Sequence, residues 1–230
     1  MNKAVNTLSG IFAVVYVALS VAIVYDLSFS SMWTLKGMAF KEEVLGGMAV
    51  IILLLGLIRV RRRWQGMNDM KRFSKFTFET SVSRETMNYA LMFSIIEMAF
   101  MIGLLLICIK MAGLHPELTL PMIIAVGILL TESFVFLSLL IKRGPAFRFG
   151  VNKEVVAYFD REMHLYYYTG LIRVELVQSD LINFQYREGL NLFLSTKTLP
   201  KEDRIKFRDE LIGTLADKNV YIDDAFRAWE

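Results

Sequence analysis

Four long runs of uncharged apolar residues constrain this chain more than any other feature. Crossing a bilayer core of about 30 Å takes roughly 20 helical residues. Residues 4–24 carry no charge, and residues 44–58 form a shorter uncharged run ending at Arg59. Residues 86–109 contain one charge, Glu97, and residues 118–141 contain one, Glu132. The predicted spans are therefore about 4–25, 44–60, 86–109 and 118–141, packed as an all-α four-helix membrane bundle. The second is short enough to need a snorkelling arginine at its end. The first follows Lys3 but is too long for a signal-peptide core and ends without a small-x-small cleavage site, so it reads as a retained anchor.

Basic residues set the expected orientation. Between spans two and three lie Arg59, Arg61, Arg62, Arg63, Lys71, Arg72, Lys75 and Arg84, and Lys142 and Arg143 follow span four. The other side has only Lys36 and Lys41 in one loop and Lys110 beside the next. The expectation is a multi-pass protein of the bacterial inner membrane with both termini cytoplasmic. The 230 residues are 55% hydrophobic with a mean hydropathy of +0.44, and most of that excess lies before residue 142. A boundary is expected at Lys142-Arg143-Gly144-Pro145, separating a membrane domain (1–143) from a cytoplasmic one (144–230).

The basic stretch 59–86 interleaves cations with Trp64, Met67, Met70, Phe73, Phe76 and Phe78. Spacing of three places the first five on one helical stripe. This predicts an extension of span two lying along the membrane surface, apolar side toward lipid and Arg59, Arg61, Arg62, Arg63, Lys71 and Arg72 toward anionic headgroups. Nothing in the spacing points to nucleic acid.

Glu97 and Glu132 are expensive at membrane depth. Glu97 lies about 11 residues inside span three and Glu132 about 9 residues inside span four, roughly 16 and 14 Å at 1.5 Å per residue. A short loop makes these spans antiparallel neighbours, so the two carboxyls could meet and share a proton. Ser94, one turn from Glu97, and Thr131 and Ser133, flanking Glu132, supply polar partners. Two readings stay open: an ion or proton site, or neutral carboxyls hydrogen-bonding between helices or protomers. Small residues on the helix faces, such as Gly10, Gly56 and Gly103, permit close approach, and a homo-oligomer is expected. The lone Cys108 sits in an apolar run as a packing residue.

After Pro145 the period changes from helical to alternating. Strands are predicted at residues 147–151, 155–159, 163–168, 171–176, 181–186 and 190–194. Turns fall at Asn152-Lys153, Asp160-Arg161-Glu162, Gly170 and Glu188-Gly189. Pro200 opens a helix whose apolar stripe is Ile205, Leu211, Ile212 and Leu215. Asn219 would cap it, before a short strand at 220–222 and a terminal turn at 225–229. This is an α+β domain: an antiparallel meander closed by one amphipathic helix.

The Gly170 hairpin, the strand start Ser179-Asp180-Leu181-Ile182, the strand Leu190-Asn191-Leu192-Phe193-Leu194 and the helix opening Leu199-Pro200-Lys201 together resemble the bacterial PH-like (YcxB-like) domains of small polytopic membrane proteins, over about residues 146–218. The resemblance implies a small interaction module beside the membrane and carries no catalytic residues.

Patterns for catalysis do not assemble. His115 and His164 lack partners at metal-ligand spacing, and there is no phosphate-binding glycine loop, nucleophile elbow or Cys/His pair. Tyr166-Tyr167-Tyr168 could stack a base but suits a strand packed on both faces. No enzyme activity, metal or cofactor is expected. The function expected is a non-enzymatic scaffold or regulatory subunit whose cytoplasmic domain binds a protein partner. The alternative is an ion or proton channel, pore-forming effector or transporter component using Glu97 and Glu132.

Overall fold

The computed structural model describes the chain except residues 1, 26, 31–32, 35–39, 74–75, 114–115 and 230. Lys36, Lys75 and His115, noted above, fall outside the described residues. Among the described residues, four helices are long and apolar enough to cross a membrane. They are α1 (Asn2–Val24), α2 (Lys41–Arg72), α3 (Arg84–Ala112) and α4 (Pro116–Ile141). This is a multi-pass membrane protein with an α+β domain after its last span. Two short strands, β1 (Ser28–Ser30) and β2 (Trp33–Thr34), pair antiparallel between α1 and α2.

The chain divides into a helical unit, residues 1–62 and 93–138, and a sheet unit, residues 63–92 and 139–230. This moves the expected boundary at residue 143, because the sheet unit includes the connection between α2 and α3. In that connection β3 (Phe78–Ser81) joins a sheet of order β3-β4-β5-β6, with β4 (Arg148–Val151), β5 (Val155–Phe159) and β6 (Met163–Tyr167). Its register pairs Phe78 with Val151 and Thr80 with Phe149. A second sheet holds β7 (Leu171–Gln178), β8 (Leu181–Tyr186) and β9 (Asn191–Ser195). The single meander expected is thus two sheets. Gly170 and Gly189 turn the chain with φ of 77° and 75°, which glycine adopts without a Cβ clash. After two 3₁₀ turns come α5 (Arg204–Leu215), β10 (Tyr221–Ile222), which pairs parallel with β7, and α6 (Asp224–Arg227).

Helix α5 buries Phe207, Leu211 and Leu215. The predicted stripe is corrected at its first position: Ile205 is 48% exposed. Phe207 takes the inward place, meeting the Phe149 ring edge-on at 5.2 Å and the Phe78 ring at 6.3 Å. Because Phe78 comes from the α2–α3 connection, the core under α5 depends on both chain segments.

The apolar side of the basic stretch is covered by protein. Helix α2 continues to Arg72 and its last turns pack within the sheet unit, burying Arg63, Met67 and Met70. A Cβ at Gly66 would sit 2.9 Å from the Met163 side chain and 3.2 Å from the Phe159 ring, so only glycine allows this approach. The Arg148 guanidinium caps the helix end, donating to the carbonyls of Met70 (2.6 Å) and Phe73 (2.7 Å) and to Glu79 Oε1 (2.8 Å). Phe76 stacks on Phe73 at 5.7 Å, lies under Arg148 and fills the space above Gly150. The same stripe that suited a membrane surface suits the outer face of a sheet, and the sheet supplies cap and glycine together.

A Cβ at Gly150 would clash with the Phe76 ring. Gly150→Ala is expected to evict Phe76 and destabilise the sheet unit by about 2 kcal/mol. A companion Phe76→Ala change should recover part of that loss, read by thermal unfolding in detergent.

Candidate functional site

In lipid, apolar side chains gain nothing by leaving hydrocarbon, so packing and polar contacts hold the helical unit together. Its core joins Tyr16 and Ala13 of α1, Leu45 and Ala49 of α2, Leu104 and Cys108 of α3, and Met122 and Leu129 of α4. The Tyr16 hydroxyl donates to the carbonyl of Leu118 at 3.1 Å, tying α1 to α4. Gly56 brings α2 against α4, since a Cβ there would lie 2.5 Å from the Leu129 methyls.

One turn beyond Gly56, Arg59 Nη2 meets Glu97 Oε1 of α3 at 2.6 Å, with side chains 22% and 15% exposed. The acid therefore has a basic partner, and the partner is a residue read as a lipid-facing cation. The depths match once α2 is followed to its true end. Arg59 lies thirteen residues before the last residue of α2, and Glu97 thirteen after the first residue of α3. Ending span two at residue 60 hid this, because Arg59 then seemed to lie at the water boundary.

The remaining candidates separate. Ser94 and Ser133 are buried, and neither hydroxyl has a hydrogen-bond partner among the described residues. Ser94 lies three residues before Glu97, and Ser133 four after Leu129, so each shares a helix face with a contact just described. Thr131 is exposed, and its hydroxyl donates back to the carbonyl of Gly127 at 2.9 Å. Glu132 is half-buried on α4. Arg61, Lys71 and Arg72 are exposed and Arg62 is half-buried, but Arg63, at 5% exposure, is not a headgroup contact. Chemically, Arg59 and Glu97 set a cation against an acid across α2 and α3.

In the sheet unit, Ser83 caps α3. Its hydroxyl accepts from the Thr86 N–H at 3.2 Å and donates to the carbonyl of Lys197. Thr80 Oγ1 donates to Asp203 at 2.6 Å, fastening β3 to the turn before α5. His164 stacks on Tyr158 at 4.4 Å, with Nε2 3.4 Å from Asp160 Oδ1. Burial works to raise the Asp160 carboxyl, but bonding to His164 and to the backbone N–H groups of Glu162 and Arg161 outweighs it and holds the group low. Of the tyrosine run, Tyr166 and Tyr168 are buried and Tyr167 is 49% exposed. The run alternates across a strand and makes no stacking platform.

Comparison with family models, with curated proteins and with solved structures finds no match to this chain.

Proposed function

We propose that this chain is a non-enzymatic inner-membrane scaffold or regulatory subunit, acting as a homo-oligomer, whose sheet unit is a cytoplasmic PH-like module that binds a protein partner. The observation that carries this reading is the composition of the sheet unit. It is built from the C-terminal segment together with the ends of α2 and α3, and β3 completes one sheet. A partner held there engages a body into which membrane-crossing helices run, as a regulatory subunit requires. The exposed Arg61, Lys71 and Arg72 suit anionic headgroups. The second reading is an ion or proton channel, pore-forming effector or transporter component, in which Glu97, with Arg59 beside it, and Glu132 would be the working acids.

The test uses the full chain, since a fragment beginning at residue 146 lacks β3 and the Arg148-capped helix end. Photo-cross-linkers placed at exposed Tyr167, Phe193 and Ile205 of the sheet unit, and at Leu106 and Ile124 of the helical unit, are expected to capture one protein species from sheet-unit positions only. Reconstituted protein should leave a liposome potential intact. Depolarisation that depends on Glu97 would replace the scaffold reading with the channel.

A further inference from the structure

The sheet unit has an open strand edge flanked by two crevices. β6 is the last strand of its sheet. Its register pairs Val156 with Tyr166 and Ala157 with Leu165. The flanking bonds, Tyr168 N–H to the carbonyl of Glu154 and Asp160 N–H to that of Glu162, show which pairs exchange hydrogen bonds. By antiparallel alternation, His164 and Tyr166 spend their backbone groups on β5. Met163, Leu165 and Tyr167 turn theirs outward. The outward carbonyl of Tyr167 is taken by the Tyr186 hydroxyl at 2.8 Å. No described group takes the N–H or carbonyl of Leu165.

Each face of this strand borders a crevice. On one face a space of about 280 Å³ is lined by Leu165 and Tyr167 together with Asp69 and Arg72 of α2 and Phe73 just beyond it. On the other a space of about 290 Å³ lies between His164 and Tyr166 and the edge strand β9, at Leu192 and Phe193. The Tyr166 hydroxyl crosses to the carbonyl of Phe193 at 2.9 Å and holds the two edges apart at a set distance. Phe193 is itself 51% exposed.

A chain laid along β6 would pair its backbone with Leu165 and send alternate side chains to opposite faces, one crevice for each. We infer that the β6 edge is a docking site for an extended peptide segment of a partner protein, read by strand addition, with an apolar side chain toward Leu192 and Phe193 and a polar or smaller one toward Asp69 and Arg72. A free peptide brings only side chains to each crevice. A second copy of this chain would instead pair β6 with β6 and give a dimer that needs no added peptide. The inference rests on the partner-binding reading above and names its site.

The test selects peptides from a phage-displayed library of short random linear sequences on the full chain in phosphatidylethanolamine–phosphatidylglycerol nanodiscs. Leu165→Pro removes the outward N–H without breaking a bond to β5, and edge strands tolerate proline there. Phe193→Lys puts a charge on the facing edge and keeps the test sound if the proline variant does not fold. Tyr221→Lys, on the edge of the other sheet, is the control. Selected peptides should alternate apolar and polar positions and lose affinity about tenfold or more in both β6-site variants. They should be unaffected by Tyr221→Lys. Failure to select any peptide, or affinity unchanged in both variants, overturns the inference. Cross-linking of a partner from the sheet unit would then still uphold the scaffold reading, and its absence as well would remove both.

Discussion

Glu97→Leu is expected to destabilise the helical unit by about 3 kcal/mol, the low end of the cost of stranding one member of an ion pair, because this pair is partly buried. Arg59 would keep its charge and lose the carboxylate that meets it at 2.6 Å. The 2.6 Å contact leaves no room for a water between the partners. Arg59→Leu should be damaging for the mirror reason. Arg59→Leu with Glu97→Leu removes both charges and fills their volume with hydrocarbon, so stability should return to within about 1 kcal/mol of the parent. Thermal aggregation in detergent and steric trapping in bicelles would measure this cycle. Additive losses in the double variant would show that the residues act through other partners. The cycle also separates functions: a structural pair is dispensable when replaced as a unit, whereas a conducting site loses conduction in the double variant.

Arg148→Met should be the most damaging single change in the sheet unit, costing about 3 kcal/mol. Charge-assisted hydrogen bonds contribute about 1.5–3 kcal/mol each, and three acceptors lose their donor at once. Two are carbonyls at the end of α2, where the helix ladder cannot supply N–H groups. Arg148→Lys keeps the charge but presents a point rather than a fork, so it should recover less than half. Fluorescence of Trp229, buried against Phe226 and close to Arg204, provides the unfolding signal. If Arg148→Met melts like the parent, α2 is capped by other means and the sheet unit does not depend on that helix end.

The elements most legible in the sequence were those whose signal is local. β5 and β8 fall where alternation put them, and the glycines at 170 and 189 mark turns because positive φ is a property of one residue. The apolar runs showed four spans because lipid acts on each helix separately. The stripe from Trp64 to Phe76 was legible as amphipathic, but a moment does not say what covers it. Phe207 escaped notice because an aromatic ring amid Lys206 and Arg208 looks exposed until Phe78 and Phe149 are brought to it.

By itself the sequence determined the number of spans, the side on which cations gather and most strands of the C-terminal segment. Each follows from residues within about one element of one another. The tertiary structure alone decided that residues 78–81 complete a sheet with a strand about 70 residues later. It alone gave Arg148 to the end of α2 and Arg59 to Glu97. These contacts join elements with no shared period. Their partners are selected by which surfaces the packed helices and sheets bring within hydrogen-bond reach. The apolar runs carry the four spans, and the charges within and beside them find their partners only in the folded chain.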